Sequence, residues 1–528
     1  MLRYHQYSAD TPIAGRRLRS HGELTGVLHT LGYYSTDVCI GTPPRRFELI
    51  IDTGSAITAV PCAGCERCGA HRCGVRGRFD PSESSTSAPA RCRARDSRLL
   101  PSGLRCESCA ANKCAYSVNY MEGSHIRGHV QTDVAHFVQS GLHKKAFSAR
   151  IYFGCTTSER GLFQSQGADG ILGMQPETAI APRKSRVPSV LASLVVQAGS
   201  RDAFSLCLSD RGGLLLLGGR GMRSTSRLTV PMKPESAERF TLQLQEIRVS
   251  TPQLAGAASN RTFASLGTGA RMPLNPTQVD SGTTFFFAST PVFKALVNHL
   301  QQTTPKLTQV GNKKCGWLTA AELDAMPLWQ LIFSAEPHSP LLVNARQYMV
   351  EYPPPAAAVE ASRYYCATIF DNGNAGTVIG ASIMRHREVI FRMGASPNEG
   401  SVGRRLSRRG GKRGRADVDH SKRRAERGHG TITFVDADCD RMTAATSTLR
   451  GAYVFQGCSS DPSVGHPQSA FQAASRSAPS VTLSGSAYLN GTRHSVTTRR
   501  ADAGLVTSGH SSSQSGWLNF FIPGWLRA

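Results

Sequence analysis

The stretch Phe47–Gly69 reads FELIIDTGSAITAVPCAGCERCG, and it joins an apolar run to one carboxylate and then to a series of thiols. Asp52 stands at the end of the apolar run, directly before a hydroxyl residue and a glycine. An acid followed by glycine at the end of a strand is most often only a turn former. Asp52 is therefore evidence for a particular fold only if the rest of the sequence supplies a second, matching acid.

A second copy of this arrangement lies in the C-terminal half. The segment LNPTQVDSGTTFFFAST places Asp280 in Val-Asp-Ser-Gly-Thr, which matches Ile-Asp-Thr-Gly-Ser around Asp52. Each acid loop is followed later by an apolar-apolar-Gly run, at 171–173 in GADGILGM and at 378–380 in GTVIGAS. Because both elements recur in the same order, the sequence predicts two related lobes that each contribute one carboxylate to a shared cleft.

Short β-rich runs alternate with Gly, Pro and Asp from about residue 32 to about residue 440, which predicts a mainly β protein with few helices. The helical candidates are VPSVLASLVVQAG, TPVFKALVNHLQQ and TAAELDAMPL. The predicted organisation is a basic N-terminal segment (1–28), an N-terminal lobe (29–205) with a cysteine-rich insert (62–114) and a hairpin (116–137), a C-terminal lobe (206–440) with a basic disordered insertion (401–430), and a low-complexity, mostly disordered tail (441–528).

The formal charge of +24 over 528 residues is concentrated in the basic block 401–430. Such a block is usually a solvated loop, and less often a contact with nucleic acid or an anionic membrane, or a nuclear-targeting signal. Strand-like runs, REVIFRMG and TITFVDADC, flank the block. We therefore interpret it as an insertion between paired strands and expect no nucleic-acid partner.

The fifteen cysteines are too many for a reduced cytosolic enzyme without metal. Most fall in one window, at Cys62, Cys65, Cys68, Cys73, Cys92, Cys106, Cys109 and Cys114. This window is either a metal cluster, since CxxC spacing would favour zinc in a cytosolic chain, or the disulfide framework of a secretory protein. The glycosylation sequons at Asn260 and Asn490 are compatible with the second alternative.

Neither end of the sequence carries a recognisable membrane or secretion signal. The first twenty residues lack an apolar core, and the final apolar segment, GWLNFFIPGWLRA, is about half the length that spans a bilayer. For a secretory chain we expect both ends of this sequence to be incomplete, and membrane association to come through a segment absent from it.

The two acid loops and the two apolar-Gly runs together resemble the pepsin-like aspartic proteases, over roughly residues 30–440. The resemblance implies a bilobal, mainly β fold in which Asp52 and Asp280 share one proton and activate a water molecule, with no metal and no organic cofactor. Glycine allows a close approach of the backbone to each acid. The hydroxyls would hold the carboxylates coplanar. The supporting residues are therefore Thr53, Gly54, Ser55, Ser281, Gly282 and Thr283.

The hairpin 116–137 occupies the place of the flap that closes over substrate in this family. By that resemblance Tyr120 is the flap tyrosine, and Glu122, Gly123 and Ser124 form the substrate-binding tip. The chain departs from the pepsin pattern at Ala59, where pepsin has the tryptophan that partners the flap tyrosine.

The cysteine-rich stretch resembles the insert of nepenthesin-type enzymes, and more closely that of plasmepsin V-like and coccidian Golgi aspartyl proteases. This resemblance implies four local disulfides among the eight cysteines, in place of zinc, and two further pairs, Cys207–Cys439 and Cys315–Cys366. Cys39, Cys155 and Cys458 remain. Cys155 resembles an unpaired cleft cysteine, but its pairing with Cys39 is equally open.

The resemblance thus implies an aspartic endopeptidase of an apicomplexan parasite that acts in the ER or Golgi on exported or secreted proteins, with Arg and Leu near the cut in an Arg-x-Leu motif. One alternative is a catalytically inactive pepsin-fold binding protein, which the intact acid loops disfavour. Another is a basic nucleic-acid binder whose zinc module uses Cys62, Cys65, Cys68 and Cys73.

Overall fold

The computed structural model describes residues 20–441 with internal gaps, of which the longest are 91–107, 138–148, 176–189, 191–202, 218–226, 252–260 and 394–429, and also residues 485–489 and 492–496. The chain divides into two compact units, and the second comprises residues 459–519. All elements below belong to the first unit unless the second is named.

The first half of the chain is built almost entirely of strands. They are β1 (Ser20–Gly26), β2 (Tyr34–Ile40), β3 (Arg45–Asp52), β4 (Ala59–Pro61), β5 (Ala88–Pro89), β6 (Ser108–Ala110), β7 (Lys113–Asn119), β8 (His125–Phe137), β9 (Ala149–Arg160), β10 (Gly170–Gly173), β11 (Ala203–Leu208), β12 (Gly213–Leu217) and β13 (Arg227–Pro231). The helical segments described here are the 3₁₀ turn Pro81–Glu83 and α1 (Leu162–Ser165).

The second half adds more strands and longer helices. Its strands are β14 (Thr241–Leu242), β15 (Leu244–Ser250), β16 (Phe263–Ser265), β17 (Thr277–Asp280), β18 (Phe286–Ala288), β19 (Thr308–Val310), β20 (Lys313–Leu318), β21 (Trp329–Phe333), β22 (Leu341–Val343), β23 (Met349–Glu351), β24 (Arg363–Ala367), β25 (Ile369–Asp371), β26 (Thr377–Gly380), β27 (Arg387–Arg392) and β28 (Thr431–Asp436). Its helices are α2 (Thr290–Thr303), α3 (Ala320–Ala325), α4 (Ala345–Tyr348) and α5 (Ala381–Met384).

The prediction of a mainly β, pepsin-like fold is confirmed, and local sequence explains its elements. Strand β3 is mostly apolar from Phe47 to Ile51 and is buried along nearly its whole length, as expected for a strand covered on both faces. Helix α2 has proline in its first turn and buries Val292, Leu296 and Leu300, which recur at the four-residue spacing of one helix face. Helix α3 begins with a capping box between Thr319 and Glu322. Most of the remaining helical candidate, VPSVLASLVVQAG, lies outside the described residues.

The two halves repeat one arrangement of strands around the acid loops. In the first half β3 runs parallel to β10, with Asp52 opposite Gly173, and β10 pairs antiparallel with β4. In the second half β17 runs parallel to β26, with Asp280 opposite Gly380, and β26 pairs antiparallel with β18. The apolar-Gly runs seen in the sequence are therefore the strands that lie beside the acid-bearing strands.

One continuous sheet joins strands from distant parts of the chain, in the order β13-β28-β27-β11-β12-β1-β2 and onward into the first acid-loop sheet. Strand β1 lies within the segment 1–28 that the sequence sets apart, yet it pairs with β12 from Ser20 to Leu24. Strand β11 spans the predicted boundary between residues 205 and 206. Strands β27 and β28 pair directly, with Arg392 opposite Thr431, so the basic block is inserted between neighbouring strands.

The expectation of four local disulfides in the cysteine-rich insert is wrong. Cys62 pairs with Cys155, outside the insert, because β4 runs parallel to β9 and places Val60 opposite Cys155. Cys155 is therefore neither unpaired nor bonded to Cys39. Cys65 pairs with Cys68, whereas Cys73 is a free thiol.

Other cysteines of the described chain are also oxidised. Cys39, Cys109 and Cys114 are disulfide-bonded. The structure contains both pairs implied by the resemblance, Cys207–Cys439 with a Cα–Cα distance of 5.4 Å and Cys315–Cys366 with one of 4.0 Å. Since the sulfurs of Cys62, Cys65 and Cys68 are in disulfides, they do not offer the thiolates that the zinc alternative requires.

The basic block 401–429 and most of the tail lie outside the described residues. Within the second unit the structure describes an antiparallel hairpin of β29 (Gly485–Leu489) and β30 (Thr492–Val496). Cys458 lies outside the described residues, and so do Asn260 and Asn490 of the two glycosylation sequons. Among the helices that are described, none is long and apolar enough to cross a membrane.

Candidate active site

The candidate site is formed where β3 and β17 end in equivalent loops. Asp52 is the last residue of β3 and is only 6% exposed, and Asp280 is the last residue of β17 and is partly exposed. The loops lie in direct contact: a Cβ atom added to Gly54 would collide with the Asp280 carboxylate, and one added to Gly282 would collide with the Asp52 carboxylate. The two glycines are therefore required for the close approach of the acids.

Each carboxylate receives the same pair of hydrogen bonds from its own loop. The Gly54 N–H donates to Asp52 Oδ1 at 2.7 Å, and the Ser55 hydroxyl donates to Asp52 Oδ2 at 2.5 Å. In the second loop the Gly282 N–H donates to Asp280 Oδ1 at 2.9 Å, and the Thr283 hydroxyl donates to Oδ2 at 2.7 Å. The repeat seen in the sequence thus becomes a repeat of hydrogen-bond geometry.

Thr53 and Ser281 do not contact the carboxylates, contrary to the expectation that all four hydroxyls hold the acids. The Thr53 hydroxyl donates to the Val279 carbonyl at 3.1 Å and accepts from the Ser281 N–H at 2.8 Å. The Ser281 hydroxyl donates to the Ile51 carbonyl at 2.8 Å and accepts from the Thr53 N–H at 3.2 Å. These buried bonds tie one acid loop to the other.

The electrostatics of the site follow from burial and from the proximity of the acids. Burial raises the pKa of Asp52 well above its usual range, and the neighbouring Asp280 charge raises it further. The hydrogen bonds from Ser55 and Gly54 act in the opposite direction because they stabilise the charged carboxylate. The pair is therefore suited to retain one proton under conditions in which an exposed aspartate has lost it.

The predicted flap is a hairpin of β7 and β8, with its turn at 120–124. The Tyr120 ring packs on Phe163 with 5.0 Å between ring centroids, in a small apolar cluster that also contains Ala59. Gly123 adopts a left-handed backbone, with φ of 88°, and its N–H donates to the Tyr120 carbonyl. Ser124 is buried, and its hydroxyl accepts from the Leu162 N–H at 2.9 Å. Glu122 lies outside the described residues.

Sequence reasoning missed Phe163 and Gln175. Phe163 lies on α1 and supports Tyr120 where pepsin uses a tryptophan at the position of Ala59. The Gln175 N–H donates to the Ser55 carbonyl at 3.1 Å, and its side-chain amide donates to the Gly54 carbonyl. The available signal was position, since Gln175 follows the apolar-Gly strand that runs beside β3.

Among the described residues, no three His, Cys, Asp or Glu side chains are gathered as a metal site. The groups that converge at the site are two carboxylates and their hydrogen-bond donors. This arrangement, repeated in the two halves of a mainly β fold, is similar to that of the pepsin-like aspartic proteases.

Comparisons with known proteins agree. Residues 34–219 match the family model described as xylanase inhibitor N-terminal. A plasmepsin V of Plasmodium falciparum is 34% identical over 198 residues, which cover 37% of this chain and 31% of that protein. Aspartic protease 5 of Toxoplasma gondii is 34% identical over 215 residues, which cover 37% of this chain and 20% of that protein.

A plant relative matches over a longer range. Aspartic proteinase nepenthesin-2 of Nepenthes gracilis is 28% identical over 277 residues, or 52% of this chain and 57% of that protein. The chain thus spans a third or less of the two parasite proteins and just over half of the plant enzyme.

Proposed function

We propose that this protein is an aspartic endopeptidase in which Asp52 and Asp280 are the catalytic residues. The observation that carries the proposal is the contact between the two acid loops, in which each carboxylate lies against the glycine of the other loop. Two carboxylates this close cannot both ionise cheaply, so one proton is shared between them.

The shared proton defines the chemistry. The ionised carboxyl group accepts a proton from a water molecule, which attacks the scissile carbonyl, while the protonated carboxyl group donates its proton to the carbonyl oxygen. The donors on each acid, from Ser55 and Gly54 in one loop and Thr283 and Gly282 in the other, hold the carboxylates in fixed orientations. The bonds of Thr53 and Ser281 fix the distance between the loops.

The hairpin of β7 and β8 is proposed as the flap that closes over a bound peptide. The Tyr120 side chain would line the substrate site together with Gly123 and Ser124. Glu122 is proposed to pair with an arginine of the substrate, since a carboxylate can hold a guanidinium through two parallel hydrogen bonds.

We further propose that the substrates carry an Arg-x-Leu motif and are exported or secreted proteins processed in the ER or Golgi. The disulfides support a secretory location, because such bonds persist in oxidising compartments. Plasmepsin V and aspartic protease 5, the parasite relatives, support proteolysis, and the motif is left to experiment. Membrane association stays a prediction.

The decisive experiment is cleavage of a peptide panel that varies Arg and Leu around one bond. Asp52→Asn and Asp280→Asn should each lower kcat/KM by at least roughly 10²–10⁴-fold, the usual contribution of a general acid or base. Asp324→Asn is a matched control, because Asp324 is exposed in a surface ion pair with Arg346 and should leave activity unchanged. Full turnover by a folded Asp280→Asn protein would show that Asp52 and Asp280 are not the catalytic pair.

The alternative is a pepsin-fold protein that binds without cleaving. The matching family model, described as xylanase inhibitor N-terminal, is consistent with this alternative. Both acid loops are complete here, with every donor in place. A folded wild-type protein that binds the panel peptides in calorimetry yet cleaves none of them would favour this alternative.

A further inference from the structure

A cavity of about 290 Å³ opens on the β7–β8–β9 part of the sheet, beside the turn of the hairpin. Six residues line it: Asn119, Gly123, His125, Arg127, Ser158 and Arg160. The cavity is distinct from the acid loops, none of whose residues contributes to its lining.

The sheet geometry places the cavity on the face opposite to the apolar support of the hairpin. Side chains alternate along a strand, and Tyr116 and Ile126 are buried in the cluster beneath Tyr120. His125 and Arg127 therefore project from the other face of β8. The pairing with β9 sets His125 opposite Arg160 and Arg127 opposite Ser158, so the charged side chains of the two strands are neighbours.

Among the six lining residues two are arginines and none is acidic. Both arginines are exposed, and neither forms an ion pair with a carboxylate that the structure describes. The acid nearest in sequence, Glu159, is turned to the other face, where its side chain is 3% exposed and accepts a hydrogen bond from His71. Arg127 and Arg160 occupy diagonal positions on the two strands, within reach of each other for long side chains, so their like charges repel. An anion bound between them would offset this repulsion.

We propose that this cavity is an oxyanion-binding pocket, in which Arg127 and Arg160 hold a carboxylate or phosphate group. Guanidinium groups bind such groups through paired, charge-assisted hydrogen bonds. The Asn119 amide and the Ser158 hydroxyl line the same space and add further donors. Because the pocket includes Gly123 of the hairpin turn, its occupant contacts the hairpin on the face away from Tyr120.

The shared chemistry has two sources, an acidic side chain of a protein substrate and a free inorganic anion, and the experiment has one arm for each. In the first arm, inorganic phosphate is titrated into the whole protein by calorimetry at constant ionic strength. We expect saturable binding of one phosphate, weakened at least tenfold in Arg127→Gln/Arg160→Gln. Arg227→Gln, which removes an exposed arginine from the distant edge strand β13, should bind as the wild type does.

The second arm rests on the proposed protease function. Pairs of peptides that share the scissile segment and differ by Glu or Ala at positions outside it are compared by kcat/KM. A preference for Glu that disappears in the double arginine variant, and that phosphate inhibits competitively, assigns the pocket to substrate. Phosphate binding without such a preference assigns it to a free anion.

The two arms separate failure of the pocket from failure of the protease assignment. If the protein cleaves no peptide, the calorimetric arm still tests the pocket. If phosphate shows no saturable binding and no peptide shows a Glu preference that depends on the arginines, the proposal is overturned. Equal phosphate affinity in the wild type and the double variant would overturn it as well.

Discussion

Asp52 and Asp280 end equivalent strands and receive equivalent hydrogen bonds, yet their surroundings differ. Asp52 is buried, whereas Asp280 remains partly exposed. A negative charge is therefore more costly at Asp52, and burial followed by the neighbouring charge raises its pKa. This asymmetry makes a stability prediction possible at the scale of a single residue.

Asp52→Asn should stabilise the protein at neutral pH while it removes activity. Because the folded-state pKa of Asp52 is raised, the folded protein binds its proton more tightly than the unfolded chain, so stability falls as pH rises from about 3.9 through the folded pKa. Asparagine does not ionise and avoids this loss. We expect a higher Tm at pH 7, by about 1 °C for each kcal/mol regained in a chain of this size.

The gain should vanish below about pH 3.9, where Asp52 is protonated in both states. Thermal unfolding of both proteins across the range from acidic to mildly alkaline pH measures it. A stability difference that stays constant over this range would contradict the argument.

At the scale of elements, the described part of the cysteine-rich insert is fastened to the sheet by a buried histidine. His71 has a left-handed backbone, with φ of 45°, and its side chain is 1% exposed. Its Nδ1 lies 2.8 Å from the Ala168 carbonyl, and its Nε2 lies 2.9 Å from the Glu159 carboxylate. Both partners are acceptors, so both ring nitrogens donate, and the ring is protonated when these bonds are complete.

The His71 contacts predict a pH-dependent stability. Burial by itself lowers the pKa of His71, but the hydrogen bond and charge of Glu159 outweigh it, and the net pKa is raised. The stabilisation is therefore fully present below about pH 6.5 and is lost as pH rises through the folded pKa. His71→Gln should cost about 1–3 kcal/mol at about pH 5.5 and much less at about pH 8.5.

Urea unfolding at the two pH values measures this difference. His299→Gln is the matched control, because burial lowers the pKa of His299 and its contribution changes below about pH 6.5 instead of above it. Equal losses for His71→Gln at both pH values would show that the ring acts only through packing.

At the scale of the whole molecule, one sheet contains strands from both halves of the chain, among them β11, β12, β27 and β28, and the basic block lies in the sequence between β27 and β28. Strands β27 and β28 pair over their full length, from Arg387–Asp436 to Arg392–Thr431. The described structure resumes at Gly430, whose carbonyl accepts a hydrogen bond from the Met232 N–H at 2.9 Å. The sheet therefore has its contacts in place on both sides of the block.

Replacing residues 401–429 with a short Gly-Ser turn, with Gly430 kept, should preserve folding and peptide cleavage. Shortening the loop lowers the entropy cost of closing it, which should stabilise the protein by about 1 kcal/mol. Circular dichroism, thermal unfolding and the peptide assay measure the outcome. A variant that fails to fold would show that the block is part of the structure.

Particular residues show how far the sequence alone could lead. The repeated loops identified Asp52 and Asp280 because local chemistry, an acid followed by a hydroxyl and a glycine, is written in consecutive residues. The different roles of Ser55, which holds Asp52, and Thr53, which binds the other loop, were not predictable, because they depend on which hydroxyl faces its own loop and which faces the other. Likewise the partner of Cys62 was missed, since it is fixed by the parallel pairing of β4 with β9.

The sequence by itself determined the mainly β class, the duplication and the two acids, since these follow from local patterns and their repetition. Only the tertiary structure decided that the acids touch the opposite glycines, that Phe163 supports Tyr120, and that Arg127 and Arg160 share one cavity. Those facts depend on strand register and on contacts between residues far apart in the chain. A period-two pattern shows which residues share a face of a strand, but it does not show which strand lies beside it.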